Sequence, residues 1–174
     1  MLDNARYVGE IGMDGSPPHR ATLELQREVF RRILVSCSDK GGRILSIHSR
    51  GAATPVLDEL EAHPGCGIPI LHWFSGTERE LDRAIRLGCW FSVGPPMLAT
   101  TKGRHLIMRM PHDRVLTETD GPFTRQGSEP LAPAAVSDAL NGIAQLWGVS
   151  SGSVEAHIAE NLRALVTRDA SNVV

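Results

Sequence analysis

Tyr7-Val8-Gly9-Glu10, Ile44-Leu45-Ser46-Ile47-His48, Ile68-Pro69-Ile70-Leu71-His72 and Val115-Leu116-Thr117-Glu118-Thr119-Asp120 are four short apolar runs, each closing on a residue able to bind a metal. Side chains alternate faces along a strand. Read as strands, the runs place Val8 on the face of Glu10, Ile44 and Ser46 on that of His48, and Ile68 and Ile70 on that of His72. Leu116 and Glu118 then share a face with Asp120. If the strands lie side by side and parallel, Glu10, His48, His72 and Asp120 meet at their C-terminal ends. That is where parallel α/β proteins keep their active sites.

Working outward, helical stretches separate the runs. A Gly/Pro-bearing loop from Gly12 to Pro18 leads into a helix over about Pro18 to Cys37. Ala21, Leu25, Val29, Ile33 and Cys37 form its expected apolar side. Gly41-Gly42 ends it. A helix is expected over about Thr54 to His63, with Pro55 suited to its first turn. Another follows Ser75-Gly76-Thr77, where Thr77 and Glu80 have the spacing of a capping box. Cys89 to Val93 reads as a fifth strand, stopped by Gly94-Pro95-Pro96. Helices near Lys102 to Met110, Pro133 to Trp147 and Gly152 to Val166 complete the pattern. Alternating strand and helix mean βα units and a parallel sheet. Five units fall short of the eight strands and ~250 residues of a closed barrel. The expected fold is therefore α/β, an incomplete TIM-like barrel, with residues 1–167 as one domain and 168–174 as a frayed tail.

Composition narrows the function. The chain has 174 residues, 41% hydrophobic and 22% charged, enough for a buried core. No apolar run approaches the ~20 residues a membrane helix needs, and no basic-then-apolar leader opens the sequence. Cys37, Cys66 and Cys89 are odd in number and lack CxxC spacing, so a reducing, cytoplasmic setting is expected. A net charge of −2 without a Lys/Arg block gives no chain-wide grip on nucleic acid. A phosphodiester substrate would be held by local arginines and metal.

An ordered set of motifs carries a resemblance. Gly9-Glu10-Ile11-Gly12-Met13-Asp14, Gln26-Arg27-Glu28-Val29-Phe30, Ile47-His48-Ser49-Arg50, His72-Trp73-Phe74-Ser75-Gly76, Glu118-Thr119-Asp120-Gly121-Pro122-Phe123, Glu129-Pro130 and Glu160-Asn161-Leu162 occur in turn. Together they resemble the TatD family of metal-dependent deoxyribonucleases, within the amidohydrolase-like barrels. The wording around His72 and Asp120 also resembles the TatD-type member of bacterial Qat anti-phage systems. The resemblance implies that Glu10 bridges two divalent ions, that His48 and His72 hold the second, and that Asp120 serves the first and accepts a proton from the attacking water. Two departures stand out. The family's His-x-His pair, which precedes the Glu motif, has no counterpart among the nine residues before Glu10. Gly15 replaces the Tyr common after the Gly-Leu-Asp motif. The resemblance thus covers the C-terminal two-thirds of the family's barrel, with roughly 80 residues lacking against its ~250.

The functional expectation is a divalent-metal hydrolase (Zn, Mn or Mg) acting on phosphodiester bonds of DNA. Glu10, His48, His72 and Asp120 are its metal residues, and Glu10 and Asp120 its catalytic ones. Two imidazoles and one carboxylate with open positions suit such ions. Without the His pair one ion is expected, and impaired cleavage with it. Arg50, Trp73 and Arg125 are candidate substrate contacts, Trp73 by stacking on a base and Arg125 by meeting a phosphate. Glu118 reads as a partner of the ligands, and His19, His63, His105, His112 and His157 as surface residues. Open strand edges imply self-association or a partner supplying strands, with Val8, Ile44, Ile68, Ile70 and Leu116 left uncovered. The alternatives are a C–N or C–O hydrolase using the same ligands, and a binding subunit without chemistry.

Overall fold

The computed structural model of the protein describes residues 5–167. The expected tail lies outside them. Five parallel strands run in chain order, β1 (Tyr7–Gly12), β2 (Ile44–His48), β3 (Ile68–His72), β4 (Trp90–Val93) and β5 (Val115–Thr117). Each is followed by helix, as the alternation of patterns requires. The described residues fall into two compact units, 5–90 and 91–167.

In the first unit, α1 (Leu23–Lys40), α2 (Ala53–Ala62) and α3 (Glu78–Arg86) follow β1, β2 and β3. Gly41 and Gly42 both take φ 63° and end α1. Thr77 and Glu80 form the capping box at the start of α3. β2 and β3 pair without a slip, Ile44 opposite Ile68 through Ile47 opposite Leu71. The next step of that register puts His48 level with His72. Between β1 and β2 the register shifts between Val8 and Ile11, so simple alternation along β1 stops before Glu10.

The apolar side of α1 differs from expectation. Phe30, Leu34 and Cys37 are buried, whereas Leu25 is 61% and Val29 50% exposed. The reason is helical geometry. Steps of four residues advance about 40° beyond a full turn, so Cys37 lies about 160° around the helix from Ala21. A strict four-residue row therefore winds off any one face. The expectation of an uncovered strand face is also corrected: Val8, Ile44, Ile68 and Leu116 are buried, and Ile70 is half-buried. The exposed apolar side chains of this unit are instead Tyr7 on the edge strand and Leu25, Val29 and Val35 on α1.

An ion-pair cluster ties α1 to α2. Glu59, whose side chain is 3% exposed, accepts from Arg27 Nε at 2.6 Å and from Arg31 Nη2 at 2.8 Å on one oxygen, and from Arg31 Nε at 2.9 Å on the other. The Arg31 hydrogen bonds outweigh burial and, with Arg27, lower the Glu59 carboxyl from 4.5 to about 2. A carboxyl held low stabilises the fold above its unfolded pKa, and that contribution is lost as pH falls through the folded one. Urea melts between pH 4.5 and 2 should show a loss of about 2 kcal/mol that is missing in Glu59→Gln, the guanidinium groups being solvent-screened. Equal pH slopes in both proteins would refute this role.

In the second unit, β4 and β5 pair in parallel, Phe91 opposite Val115 and Val93 opposite Thr117. The core here includes Phe91, Val93, Leu106, Ile107, Val115 and Ile143. A short helix, α4 (Pro95–Leu98), precedes α5 (Thr101–Arg109). Pro95 and Pro96, read from sequence only as a strand stop, also occupy the first turn of a helix, where a missing N–H costs nothing. The loop after Asp120 contains a small antiparallel hairpin, β6 (Arg125–Gln126) with β7 (Glu129–Pro130). α6 (Val136–Trp147) and α7 (Ser151–Thr167) close the described chain. Asn161, buried on α7, donates to the carbonyls of His112 at 2.7 Å and Val115 at 2.8 Å and so pins the start of β5.

The strand that was expected to run through Asp120 ends at Thr117. Glu118, Thr119 and Asp120 lie beyond it, and Asp120 takes φ 54°. Alternation from Leu116 therefore does not set where Asp120 points. A left-handed residue breaks the two-residue repeat, and Asp tolerates that conformation better than most. None of the described helices is long and apolar enough to cross a membrane.

Candidate metal centre

Three of the expected ligands converge. His72 Nε2 lies 2.8 Å from Glu10 Oε1, His48 Nδ1 lies 3.0 Å from the same oxygen, and the two nitrogens are 3.1 Å apart. Among the described residues these side chains form the one group of three or more with metal-ligand spacing. A tetrahedral ion about 2.0–2.1 Å from each ligand would hold such atoms about 3.3 Å apart. The triangle needs only tenths of an ångström of expansion to accept one. Two imidazoles and a carboxylate leave positions open for water or substrate, as in catalytic sites. His72 is buried, His48 half-buried and Glu10 exposed, so the site has a floor and an open side.

Local backbone explains the convergence. His48 and His72 close neighbouring strands in matched register. Glu10 arrives through the irregular end of β1. Beyond it Gly12, at φ 124°, sits against the backbone of His48, where an added Cβ would stand 2.1 Å from the His48 oxygen. Met13 N donates to that same oxygen at 3.0 Å, and Gly15 N to Arg50 O at 2.8 Å. The loop after β1 is thus stitched onto the loop after β2. A Cβ on Gly15 would lie 2.2 Å from Gly51 O, so this backbone has no room for a tyrosine there.

The stitching also brings Asp14, to which the strand pattern assigns no role, to His48. Asp14 Oδ2 lies 2.9 Å from His48 Nε2. Burial pushes the Asp14 carboxyl up, but hydrogen bonds from Ser16, side chain and backbone, and from His48 outweigh it and bring it down to about 2. The available signal was an aspartate in a Gly-Met-Asp-Gly loop directly after a strand-end ligand. Beside β1 a cleft of about 420 Å³ opens between this loop and α1, reaching from Glu10, Asp14 and His48 to Gln26, Val29 and Ile33.

The other expected site residues are placed as follows. Asp120 belongs to the second unit, half-buried, three residues past β5. Glu118, also half-buried, accepts from Ser92 Oγ at 2.6 Å. Arg50 is exposed in the turn after β2, and Arg125 is exposed at the start of β6. Trp73 follows His72 directly, half-buried, with φ 39°. A bulky residue in the left-handed region is strained, and such strain gathers at functional sites. Phe74 beside it is 1% exposed and packs in the core. Cys37, Cys66 and Cys89 are buried, and none of them forms a disulfide among the described residues.

Comparison with known proteins gives the family. The family model for TatD related DNases matches residues 2–167. The putative deoxyribonuclease TATDN3 of Mus musculus is 29% identical over 174 residues, covering 97% of this chain and 55% of that protein. The 3'-5' ssDNA/RNA exonuclease TatD of Dickeya dadantii is 30% identical over 129 residues, 67% of this chain and 45% of its own length. The crystal structure of the TatD homolog YJJV from Escherichia coli shares the fold with TM-score 0.78 and 23% identity, over 90% of this chain and 62% of that one. The chain spans about half the length of the curated relatives it matches. With its parallel βα units and its carboxylate–imidazole triangle, it belongs to the family of TatD related DNases.

Proposed function

We propose that the chain carries a nuclease site that hydrolyses phosphodiester bonds of DNA with a divalent ion held by Glu10, His48 and His72. The convergence of these three side chains within hydrogen-bond distance of one another carries the reading. Bound there, a divalent ion supplies positive charge that polarises a phosphoryl oxygen and acidifies water. Glu10, the most exposed of the three, faces incoming water. Asp120 is assigned the proton-accepting role. Arg50 is assigned a phosphate contact, Trp73 a stacking contact with a base and Arg125 a second phosphate contact. The name of the Dickeya relative, an exonuclease of single-stranded DNA and RNA, supports a single-stranded substrate. The sequence around His72 and Asp120 supports a place in anti-phage defence. Exposed Tyr7 on the edge strand, together with exposed Leu25 and Val29 on α1, supports self-association or a partner that adds a strand at that edge.

The test is cleavage of a labelled single-stranded oligonucleotide by the purified chain with Mg²⁺, Mn²⁺ or Zn²⁺. With one three-ligand cluster among the described residues, slow cleavage is expected. A displacement assisted by one ion rather than two forfeits about 4 kcal/mol of transition-state stabilisation, about three orders of magnitude in rate. Addition of EDTA should abolish it, and the active fraction should elute larger than a monomer from a sizing column. Amide or ester hydrolysis without nucleic-acid cleavage would favour the C–N or C–O hydrolase. Metal and DNA binding without turnover would favour a binding subunit.

A further inference from the structure

We infer that Asp14 is a positioning residue, clamped by Gln26 and Ser16, that fixes His48 as the tautomer whose Nδ1 lone pair faces Glu10 and His72. This rests on the metal centre proposed above and adds Asp14, Gln26 and Ser16 to it. An ionised carboxylate only accepts hydrogen bonds, and a neutral imidazole carries one N–H. Both ring nitrogens of His48 meet a carboxylate, Nε2 meeting Asp14 Oδ2 at 2.9 Å and Nδ1 meeting Glu10 Oε1 at 3.0 Å. Glu10 Oε1 also meets His72 Nε2 at 2.8 Å, however, and two N–H groups do not face each other across the 3.1 Å between Nδ1 and that nitrogen. An N–H on His72 Nε2 and another on His48 Nε2 serve both carboxylates and leave the lone pair on Nδ1. A ring in the other tautomer would turn an N–H toward the ion and a lone pair toward a carboxylate, losing both contacts. Carboxylates commonly hold ligating histidines in this way.

Asp14 itself is held on every side. Its Oδ1 accepts from Ser16 N at 2.8 Å. Its backbone N donates to Gln26 Oε1 at 2.7 Å, and its backbone O accepts from Gln26 Nε2 at 3.2 Å. Gln26 Nε2 also lies 3.1 Å from His19 O and 3.0 Å from Thr22 Oγ1. A glutamine in the first turns of α1 therefore grips the main chain of Asp14 on both its polar atoms. Only a side chain with an acceptor and a donor at one end can do this. The Gln26 motif, noticed in the sequence without a role, gains one here.

The experiment is ¹⁵N NMR of His48 in the metal-free chain at alkaline pH, with Zn²⁺ affinity measured in parallel. The unaltered chain should show His48 as a single Nε2–H tautomer. Asp14→Ala should show a mixture and bind Zn²⁺ 10–100-fold more weakly. Asp14→Asn should keep the tautomer, because its amide oxygen accepts the same N–H. Gln26→Ala, which leaves Asp14 and His48 in place, should loosen the tautomer preference and cost less affinity than Asp14→Ala. Amide spectra identify any variant that fails to fold, and the remaining variants then decide. An unchanged tautomer in both Asp14→Ala and Gln26→Ala would overturn the inference. Failure of the unaltered chain to bind Zn²⁺ would overturn the metal centre instead, while the tautomer would still report Asp14's hold on His48.

Discussion

His72→Ala is expected to weaken Zn²⁺ binding by at least ~100-fold. Loss of a partner that merely orients a ligand costs 10–100-fold, and His72 supplies one of only three atoms in the triangle. It is also the buried member, 7% exposed, so water cannot replace it without rearranging the floor of the site. His72→Gln, closer in volume, separates lost ligation from lost packing and should bind nearly as poorly. Competition against a coloured zinc chelator measures the affinity directly. A melt provides a second readout: a ligand at a hundredfold excess over its Kd stabilises a fold by ~2.7 kcal/mol. That gain should appear in the unaltered chain and vanish in both variants. Equal zinc affinity in His72→Ala would remove the metal reading.

Gly12→Ala should be among the most damaging single substitutions outside the core. The new methyl group would stand 2.1 Å from His48 O, and the backbone there has φ 124°. A non-glycine residue in such a conformation costs about 1–3 kcal/mol by itself, and relief of the clash must break the Met13 N to His48 O hydrogen bond. Urea melts are expected to show a loss of about 3 kcal/mol or more. Because the loop carries Asp14, the His48 tautomer should become mixed even in the fraction that folds. Gly42→Ala, where nothing lies within 4 Å of an added Cβ, is the control for φ strain alone at φ 63°. Comparable losses in the two variants would mean that the contact with His48 contributes nothing.

The comparison between glycines illustrates where sequence reading succeeds. Strand ends and helix stops are local events, written in a few adjacent residues. Gly41-Gly42, the Thr77–Glu80 capping box and the apolar runs before His48 and His72 could all be read this way. His48 and His72 were legible as a pair because β2 and β3 are parallel and in register, so equal run lengths put both rings at one level. Glu10 was legible as a carboxylate on the first strand, but β1 continues two residues past it to Gly12, and its approach to the histidines depends on the shifted register between Val8 and Ile11.

Other features required the folded chain. The apolar side of α1 is chosen by what it packs against: Phe30 and Leu34 face inward while Leu25 and Val29 face out, and four-residue spacing alone does not fix a face. β5 ends at Thr117 and Asp120 takes a left-handed turn ahead of a hairpin that pairs residues 125–130, none of which the alternation of residues 115–120 shows. Asp14 was the largest omission. Alternation stops at the strand end, and only the passage of Gly12 across His48 carries Asp14 back to the imidazole, 34 residues away in sequence. The sequence by itself therefore determined the βα order, the placing of His48 and His72 at neighbouring strand ends, and the family. Tertiary structure decided which atoms of those ligands meet and what holds them, because hydrogen bonds between loops depend on backbone approach that no local pattern encodes.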